Sequence, residues 1–150
     1  MKIIAIIPVR MASSRFPGKP LKKIHGIPMV GHCYYRTQLV TEIEKVFVAT
    51  CDKEIFEYIK SIGGNVVMTS IEHKRATTRT AEALDKIEKK LDQKFDIIVM
   101  VQGDEPLIMP ETITDLINNF DNISNQVVNI MSQINSISDL IEISSFCVDT

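Results

Sequence analysis

The stretch that decides the fold is IIAIIPVRMASSRFPGKP, residues 3–20. Its first seven residues, 3–9, carry no charge and form a continuous apolar run, which is typical of a strand buried on both faces in a parallel sheet. The loop that follows sets Arg10, Arg15 and Lys19 among small residues. Ligands of open parallel sheets bind beyond the carboxyl ends of strands, and small residues let backbone N–H groups approach phosphate oxygens. The loop is therefore predicted to bind phosphate; the alternative is an ordinary solvated loop.

Apolar runs alternate with helical patterns along the rest of the chain, which predicts a three-layer α/β domain with a mostly parallel sheet. Further strands are predicted at 45–50, 66–69 and 95–101, and helices at 29–39, 53–62, 78–91 and 110–120. The inward face of the helix at 78–91 is predicted to consist of Ala81, Leu84, Ile87 and Leu91. Weaker patterns suggest a strand at 126–131 and a short helix at 137–143.

The composition is that of one globular domain spanning residues 1–150, with 45% hydrophobic and 24% charged residues. No apolar run reaches the roughly 20 residues of a membrane-spanning helix, and Pro8 and Arg10 interrupt the N-terminal run too early for a secretory signal. Cys33, Cys51 and Cys147 lack the spacing of a metal site and the even number of a disulfide framework. These features predict a cytoplasmic protein without a membrane partner.

Charge is distributed unevenly along the chain. All 17 Lys and Arg residues lie between Lys2 and Lys94, so residues 1–94 carry a formal charge of +7 and residues 95–150 carry −9. This asymmetry favours an anionic ligand near the N-terminal part, although a basic surface facing an acidic one explains it equally well. Nucleic acid is disfavoured because Phe16 is the one aromatic residue in the basic loop. A small molecule that carries phosphate fits better.

Asp104 follows the apolar run at 95–101, just as the basic loop follows the apolar run at 3–9. A carboxylate in that place is suited to hold Mg²⁺ against a triphosphate bound at the basic loop, since Mg²⁺ prefers one or two carboxylates together with phosphate oxygens. By itself, the Gly103-Asp104 pair before Pro106 also fits a simple turn. Neither a Walker loop nor a Gly-x-Gly-x-x-Gly motif is present in the sequence, which disfavours a P-loop ATPase or a dinucleotide-dependent dehydrogenase.

Several motifs together resemble the CTP-dependent sugar-acid cytidylyltransferases, and among them the 3-deoxy-manno-octulosonate (Kdo) cytidylyltransferases most of all. They are the stretch at 4–20, Gly-Ile-Pro-Met-Val at 26–30, Val-Ala-Thr at 48–50 with Asp52, and Gln-Gly-Asp-Glu-Pro at 102–106. Gly63-Gly64, Met68-Thr69 and His73 follow the family's order and spacing, and the match covers about residues 1–120. The resemblance implies a Rossmann-like fold of the nucleotide-diphospho-sugar transferase type.

The same resemblance implies a nucleotidyl transfer that depends on Mg²⁺. The anomeric hydroxyl of Kdo attacks the α-phosphate of CTP, and CMP-Kdo for lipopolysaccharide biosynthesis and pyrophosphate result. By resemblance, Arg10 and Lys19 grip the triphosphate, Asp104 ligates Mg²⁺ and Gln102 faces the sugar acid. The other nucleotide-binding residues that the resemblance implies are Ser13, Ser14, Arg15, Thr77 and Arg79.

The sequence departs from the family in three respects. Cys51 stands where a second acid commonly follows Val-Ala-Thr, and a small, partly buried residue is favoured there over a reactive thiol. Arg75-Ala76 stands where the family has Ser-Gly in its His-x-Ser-Gly-Thr-x-Arg motif, and the added side chain is expected to obstruct close backbone contact with the nucleotide. The chain is also shorter than family members, whose second metal-binding carboxylate, part of the sugar pocket and dimer-forming hairpin lie beyond the matched part. We therefore expect a truncated chain with very slow or no turnover by itself, and a homodimer only for a full-length protein.

Other functions stay open at this point. A sister enzyme for another acidic sugar, such as an amino-Kdo or an acylneuraminate, differs mainly in the sugar pocket. A non-catalytic nucleotide-binding domain derived from the enzyme is favoured by Arg75-Ala76 and by the short chain, and is opposed by the intact basic loop and by Asp104. A structural interaction domain would bind no nucleotide at all.

Overall fold

A parallel sheet of four strands forms the centre of the computed structural model, which describes residues 1–12, 16–120 and 127–131. In chain order the elements are β1 (Ile3–Pro8), β2 (Lys23–Ile24), β3 (Ile27–Pro28), α1 (Met29–Gln38), β4 (Lys45–Thr50), α2 (Lys53–Ser61), β5 (Asn65–Met68), α3 (Ala76–Leu91), β6 (Ile97–Met100) and α4 (Pro110–Asn118). A single 3₁₀ turn, Lys19–Leu21, precedes β2. The sheet order is β5-β4-β1-β6.

Strand β1 is buried along its whole length because it lies between β4 and β6 and because helices cover both of its faces. On one face, Ile3, Ala5 and Ile7 pack in the core cluster that α1, α2 and α4 complete. On the other face, Ile4 and Ile6 pack with residues of α3. The predicted three-layer α/β architecture with a parallel sheet is therefore confirmed.

The helices and strands predicted between residues 3 and 120 are present, with ends that differ by at most a few residues. The inward face of α3 was predicted wrongly in one place, since Ala81 is exposed and Ala83 is fully buried. The reason is that the buried stripe of α3 includes two polar residues, Arg79 and Thr80, which a search for apolar residues passes over.

Two further differences concern short segments. The predicted strand at 126–131 is wrong for residues 127–131, which form neither helix nor strand, while the helix predicted at 137–143 lies outside the described residues. The hairpin of β2 and β3 was not predicted, because strands of two residues carry no periodic pattern. Its turn places His25 at φ 49° and Gly26 at φ 84°, the pair of left-handed residues that a tight two-residue hairpin uses.

None of the helices in the described part of the chain has the length and apolar character that crossing a bilayer requires.

Replacing Ile6 with Ala is expected to lower the free energy of unfolding by about 2–5 kcal/mol, because the side chain is fully buried on the central strand and its removal leaves a cavity. Urea unfolding at constant pH measures this change. The matched control is Ile71→Ala, whose side chain is 77% exposed and whose loss should cost less than about 0.5 kcal/mol. Equal effects of the two substitutions would contradict the assignment of β1 to the core.

Candidate active site

A cavity of about 710 Å³ opens where β1 and β6 end, a size in the range of small-ligand sites. Three parts of the chain form it: the loop after β1, the loop after β6, and the segment that leads into α3. Its charged and polar lining residues are Arg10, Lys19, His73, Lys74, Arg75, Arg79, Gln102 and Asp104. The cavity therefore lies at the carboxyl edge of the sheet, where the sequence predicts the ligand.

The two chemical groups on which the sequence prediction depends meet in this cavity. Lys19 Nζ lies 3.0 Å from Asp104 Oδ2, although the two residues are 85 positions apart in the chain. Both side chains keep access to solvent, with 33% of Lys19 and 56% of Asp104 exposed. A cation and a carboxylate are thus held side by side at the mouth of the cavity, and both can still reach a ligand.

The loop after β1 is held at both of its ends. Asp52, at the start of α2, accepts a hydrogen bond from the backbone N–H of Met11 at 2.8 Å. At the other end, the N–H of Gly18 donates to the Met11 carbonyl at 3.3 Å, and Gly18 adopts φ 73°, a left-handed conformation that favours glycine. These contacts fix Arg10 and Lys19 on either side of the loop, whose predicted binding residues Ser13, Ser14 and Arg15 lie outside the described residues.

The loop after β6 is held against β1 by close backbone packing. A Cβ atom added at Gly103 would lie 2.9 Å from Val9 Cβ and 3.1 Å from the Pro8 carbonyl oxygen, so only glycine fits there without movement. Farther along, Arg36 of α1 donates from Nε to the Ile108 carbonyl at 2.6 Å. Asp104 is therefore carried by a loop that is fixed on both sides.

Glu105, the neighbour of Asp104, has a raised pKa, first because it is partly buried and second because of the negative charge of Asp104. It does not line the cavity, and the carboxylate that the loop offers to a ligand is that of Asp104.

The third wall of the cavity depends on Arg79, which is 97% buried by the segment that precedes α3. Its guanidinium donates hydrogen bonds to Thr69 Oγ1, to the Ser70 carbonyl at 3.3 Å and to the His73 carbonyl at 3.5 Å. Arg79 thus reaches the cavity wall while most of its donors hold the segment. Thr77, the other residue predicted from the same motif, is exposed and is absent from the cavity lining.

A second set of contacts ties the same segment to α3 through Glu82. The Glu82 carboxylate accepts hydrogen bonds from His73 Nε2 and from the Ser70 N–H at 2.9 Å, and it pairs with Lys86 at 2.6 Å. Lys86 first, and then the Ser70 N–H and His73, lower the pKa of Glu82 to about 2. Because Lys86 also donates to the Met68 carbonyl at 2.9 Å, the contacts extend from β5 to α3.

The predicted site residues therefore fall into three groups. Arg10, Lys19, Arg79, Gln102 and Asp104 come together around one cavity, Thr77 lies away from it, and the loop residues 13–15 are not described. Sequence reasoning missed Asp52 and Arg36, which act on backbone groups distant in the chain. The family motif gave a signal for Asp52 alone, as the acid that follows Val-Ala-Thr.

The sequence profile of a family described as cytidylyltransferase matches residues 4–146. The chain belongs to the cytidylyltransferase family. The resemblance found in the motifs is confirmed by this match, which covers more of the chain than the motifs themselves do.

Relatives within the cytidylyltransferases support the same assignment. The chain is 50% identical over 117 residues to 3-deoxy-manno-octulosonate cytidylyltransferase of Geobacter metallireducens, in a match that covers 78% of this chain and 44% of that one. It is 45% identical over 121 residues to 8-amino-3,8-dideoxy-manno-octulosonate cytidylyltransferase of a Shewanella species, covering 81% and 48%. A solved structure of CMP:2-keto-3-deoxy-manno-octonic acid synthetase complexed with CTP superposes with a TM-score of 0.73 at 37% identity, covering 79% and 46%.

The chain spans about half the length of the curated relatives it matches, between 38% and 53% of each. A nucleotidyl transferase from Methanothermobacter thermautotrophicus, only 17% identical, shares the fold with a TM-score of 0.67. The expected nucleotidyltransferase fold is therefore confirmed by close and distant neighbours alike.

Replacing Glu82 with Gln is expected to lower the free energy of unfolding by about 1–2 kcal/mol at pH 7, with the ion pair discounted for its partial exposure. The folded-state pKa of about 2 lies below the ordinary value of 4.5. The stabilisation is therefore complete above pH 4.5 and decreases as the pH falls toward 2. Urea unfolding of both proteins over this range measures the difference, which should be constant near neutral pH and shrink in acid.

The matched control for this measurement is Glu57→Gln, which removes an exposed ion pair with Lys53 at 3.5 Å on α2. Its effect should stay below about 0.5 kcal/mol at every pH. A difference between parent and Glu82→Gln that is independent of pH would show that the carboxylate does not carry the stabilisation.

Proposed function

We propose that the protein acts as a Kdo cytidylyltransferase, which transfers the cytidylyl group of CTP to the anomeric hydroxyl of Kdo. The single observation that carries the proposal is the meeting of Lys19 and Asp104 at the mouth of a cavity lined by further cations. Relatives named for Kdo and a CTP-bound structural neighbour support the choice of both substrates. The product, CMP-Kdo, is proposed to serve lipopolysaccharide biosynthesis.

In the proposed reaction the anomeric hydroxyl releases its proton to solvent and its oxygen forms a bond to the α-phosphorus. The bond from that phosphorus to the bridging oxygen breaks, so that pyrophosphate leaves. Such a transfer depends on positioning and on stabilising the charge of the leaving group. Arg10 and Lys19, on either side of the loop after β1, are suited to bind the triphosphate and to offset that charge. Gln102, which lines the same cavity, is the proposed contact to the sugar acid.

The residues present fit a Mg²⁺ ion that is held largely by its substrate. Among the described residues no group of three or more His, Cys, Asp or Glu side chains is arranged as a metal site. Asp104, however, presents an exposed carboxylate in a cavity suited to phosphate, and Mg²⁺ commonly binds through one or two carboxylates plus phosphate oxygens. We propose that Asp104 holds the ion, which would neutralise part of the triphosphate charge when bound.

A sister reaction with an 8-amino sugar is the second candidate, because the relative named for that sugar is 45% identical to this chain, as are some of those named for Kdo. The sequence match therefore does not show which of the two sugars is the substrate. The alternative from a different functional class is a domain that binds nucleotide without catalysing a reaction. A cytoplasmic location and a homodimer of a full-length protein stay predictions.

Calorimetric titration with CTP and Mg²⁺ tests the proposal. The parent chain is expected to bind CTP, and Lys19→Ala is expected to weaken binding about tenfold because a charge-assisted contact to phosphate is lost. Lys90→Ala, which removes an exposed cation at the far end of α3, is the matched control and should leave the affinity unchanged.

Pyrophosphate release with protein in excess over Kdo, 8-amino-Kdo or N-acetylneuraminate identifies the sugar. Release with Kdo ahead of the other sugars supports the proposal. Because this chain is expected to turn over very slowly, release is followed over a long incubation. Binding of CTP without release from any acidic sugar then favours the non-catalytic alternative. Failure of the parent chain to bind CTP contradicts both nucleotide-binding roles.

A further inference from the structure

The segment leading into α3 places two cations, Lys74 and Arg75, on the cavity wall formed by the third part of the chain. Within the described residues, no ion pair engages either side chain. Lys86 and Lys89 of α3, by comparison, pair with carboxylates of their own helix. Lys74 and Arg75 therefore line the cavity without a carboxylate paired to either of them among the described residues.

The position of Arg75 is fixed by the backbone around it. Its carbonyl accepts hydrogen bonds from Thr78 Oγ1 at 3.0 Å and from the Arg79 N–H at 3.3 Å. The preceding residues are held by the buried Arg79 guanidinium and by Glu82. Arg79 uses its guanidinium donors to form hydrogen bonds with this segment. The Arg75 guanidinium forms no hydrogen bond among the described residues, so its donors are available to a ligand.

The loops after β1 and β6 form the remaining wall of the cavity, and the low net charge of that wall makes a further cation useful. Lys19 is already balanced by Asp104, so among the described residues of that wall Arg10 supplies the net formal charge of +1. A nucleoside triphosphate carries several negative charges at neutral pH. With the Mg²⁺ ion proposed at Asp104 the charge of this wall rises to +3, which is still below the roughly four negative charges of the triphosphate, so a further cation improves the balance.

We propose that Arg75 is a specificity-determining residue that binds the outer phosphates of the nucleotide from a different part of the cavity lining than Arg10 and Lys19, with Lys74 adding to the local positive potential. The planar guanidinium offers paired donors that match phosphate oxygens. This inference rests on the proposed function and adds a contact absent from the family motif, which has Ser at this position. The Arg75 side chain, which was expected from the sequence to obstruct the nucleotide, is thereby assigned a binding role.

Comparing CTP with CMP in calorimetric titrations of the parent chain and of Arg75→Ser tests this assignment. Serine is a favourable residue before a helix, so the substitution at the start of α3 should leave the melting temperature unchanged or raised. We expect Arg75→Ser to weaken CTP binding about tenfold and CMP binding much less, because the lost contact is to the phosphates that CMP lacks. Lys90→Ser, on the exposed surface of the same helix, controls for the loss of one positive charge.

The possible outcomes separate the role of Arg75 from the proposed function. A larger loss for CTP than for CMP, with Lys90→Ser unchanged, supports the role of Arg75. If the parent binds CTP while Arg75→Ser binds it equally well, or loses CTP and CMP to the same extent, the assignment to the outer phosphates is overturned and the proposed function is untouched. Absence of CTP binding by the parent overturns the proposed function and this inference with it.

Discussion

The contact between Lys19 and Asp104 depends on one constraint, the parallel pairing of β1 with β6. Parallel neighbours end at the same edge of a sheet, so the loops that follow them begin side by side. Gly103 makes this arrangement possible, because its lack of a Cβ lets the second loop lie against Pro8 and Val9. The cavity, its charges and its candidate chemistry are consequences of this close approach.

The rest of the site is built on that edge by contacts between distant parts of the chain. Asp52 holds the loop after β1, Arg36 holds the loop after β6, and Arg79 holds the segment before α3. Each of them uses a charged side chain to bind backbone or hydroxyl groups, so the two arginines have fewer donors left for phosphate. The cations that remain open to a ligand, such as Arg10 and Arg75, are those that do not stabilise a loop.

Much of the fold could be predicted from the sequence, because its strongest patterns have a direct physical cause. The apolar run at 3–9 is continuous since both faces of β1 are covered, and the stop of α2 at Gly63-Gly64 follows from the left-handed Gly63, at φ 73°. Where polar residues are buried through hydrogen bonds, the hydropathy pattern does not predict which face of a helix is buried. Arg79 and Thr80 lie on the buried face of α3, and no hydropathy rule places an arginine there.

The candidate site was predictable to a similar degree. The basic loop and Asp104 follow from the rule that ligands bind at strand ends, and the structure brings them together. The sequence predicted Arg79 as a nucleotide ligand and Arg75 as an obstruction, and it could not show that tertiary packing buries Arg79 while Arg75 stays exposed. The hydrogen bonds of Asp52 and Arg36 could not be predicted, since their partners are backbone atoms far away in the chain.

The most direct measurement is paramagnetic broadening of backbone amide resonances by substoichiometric Mn²⁺, used as a substitute for Mg²⁺, in the presence of saturating CTP. If the two strand ends share one complex of nucleotide and metal, the amides of Lys19, Gly103 and Asp104 broaden first, while those near Lys90 stay sharp. Without CTP the effect should be much weaker, since phosphate oxygens supply most of the ligands. Broadening centred elsewhere, or equally strong without nucleotide, would contradict the account.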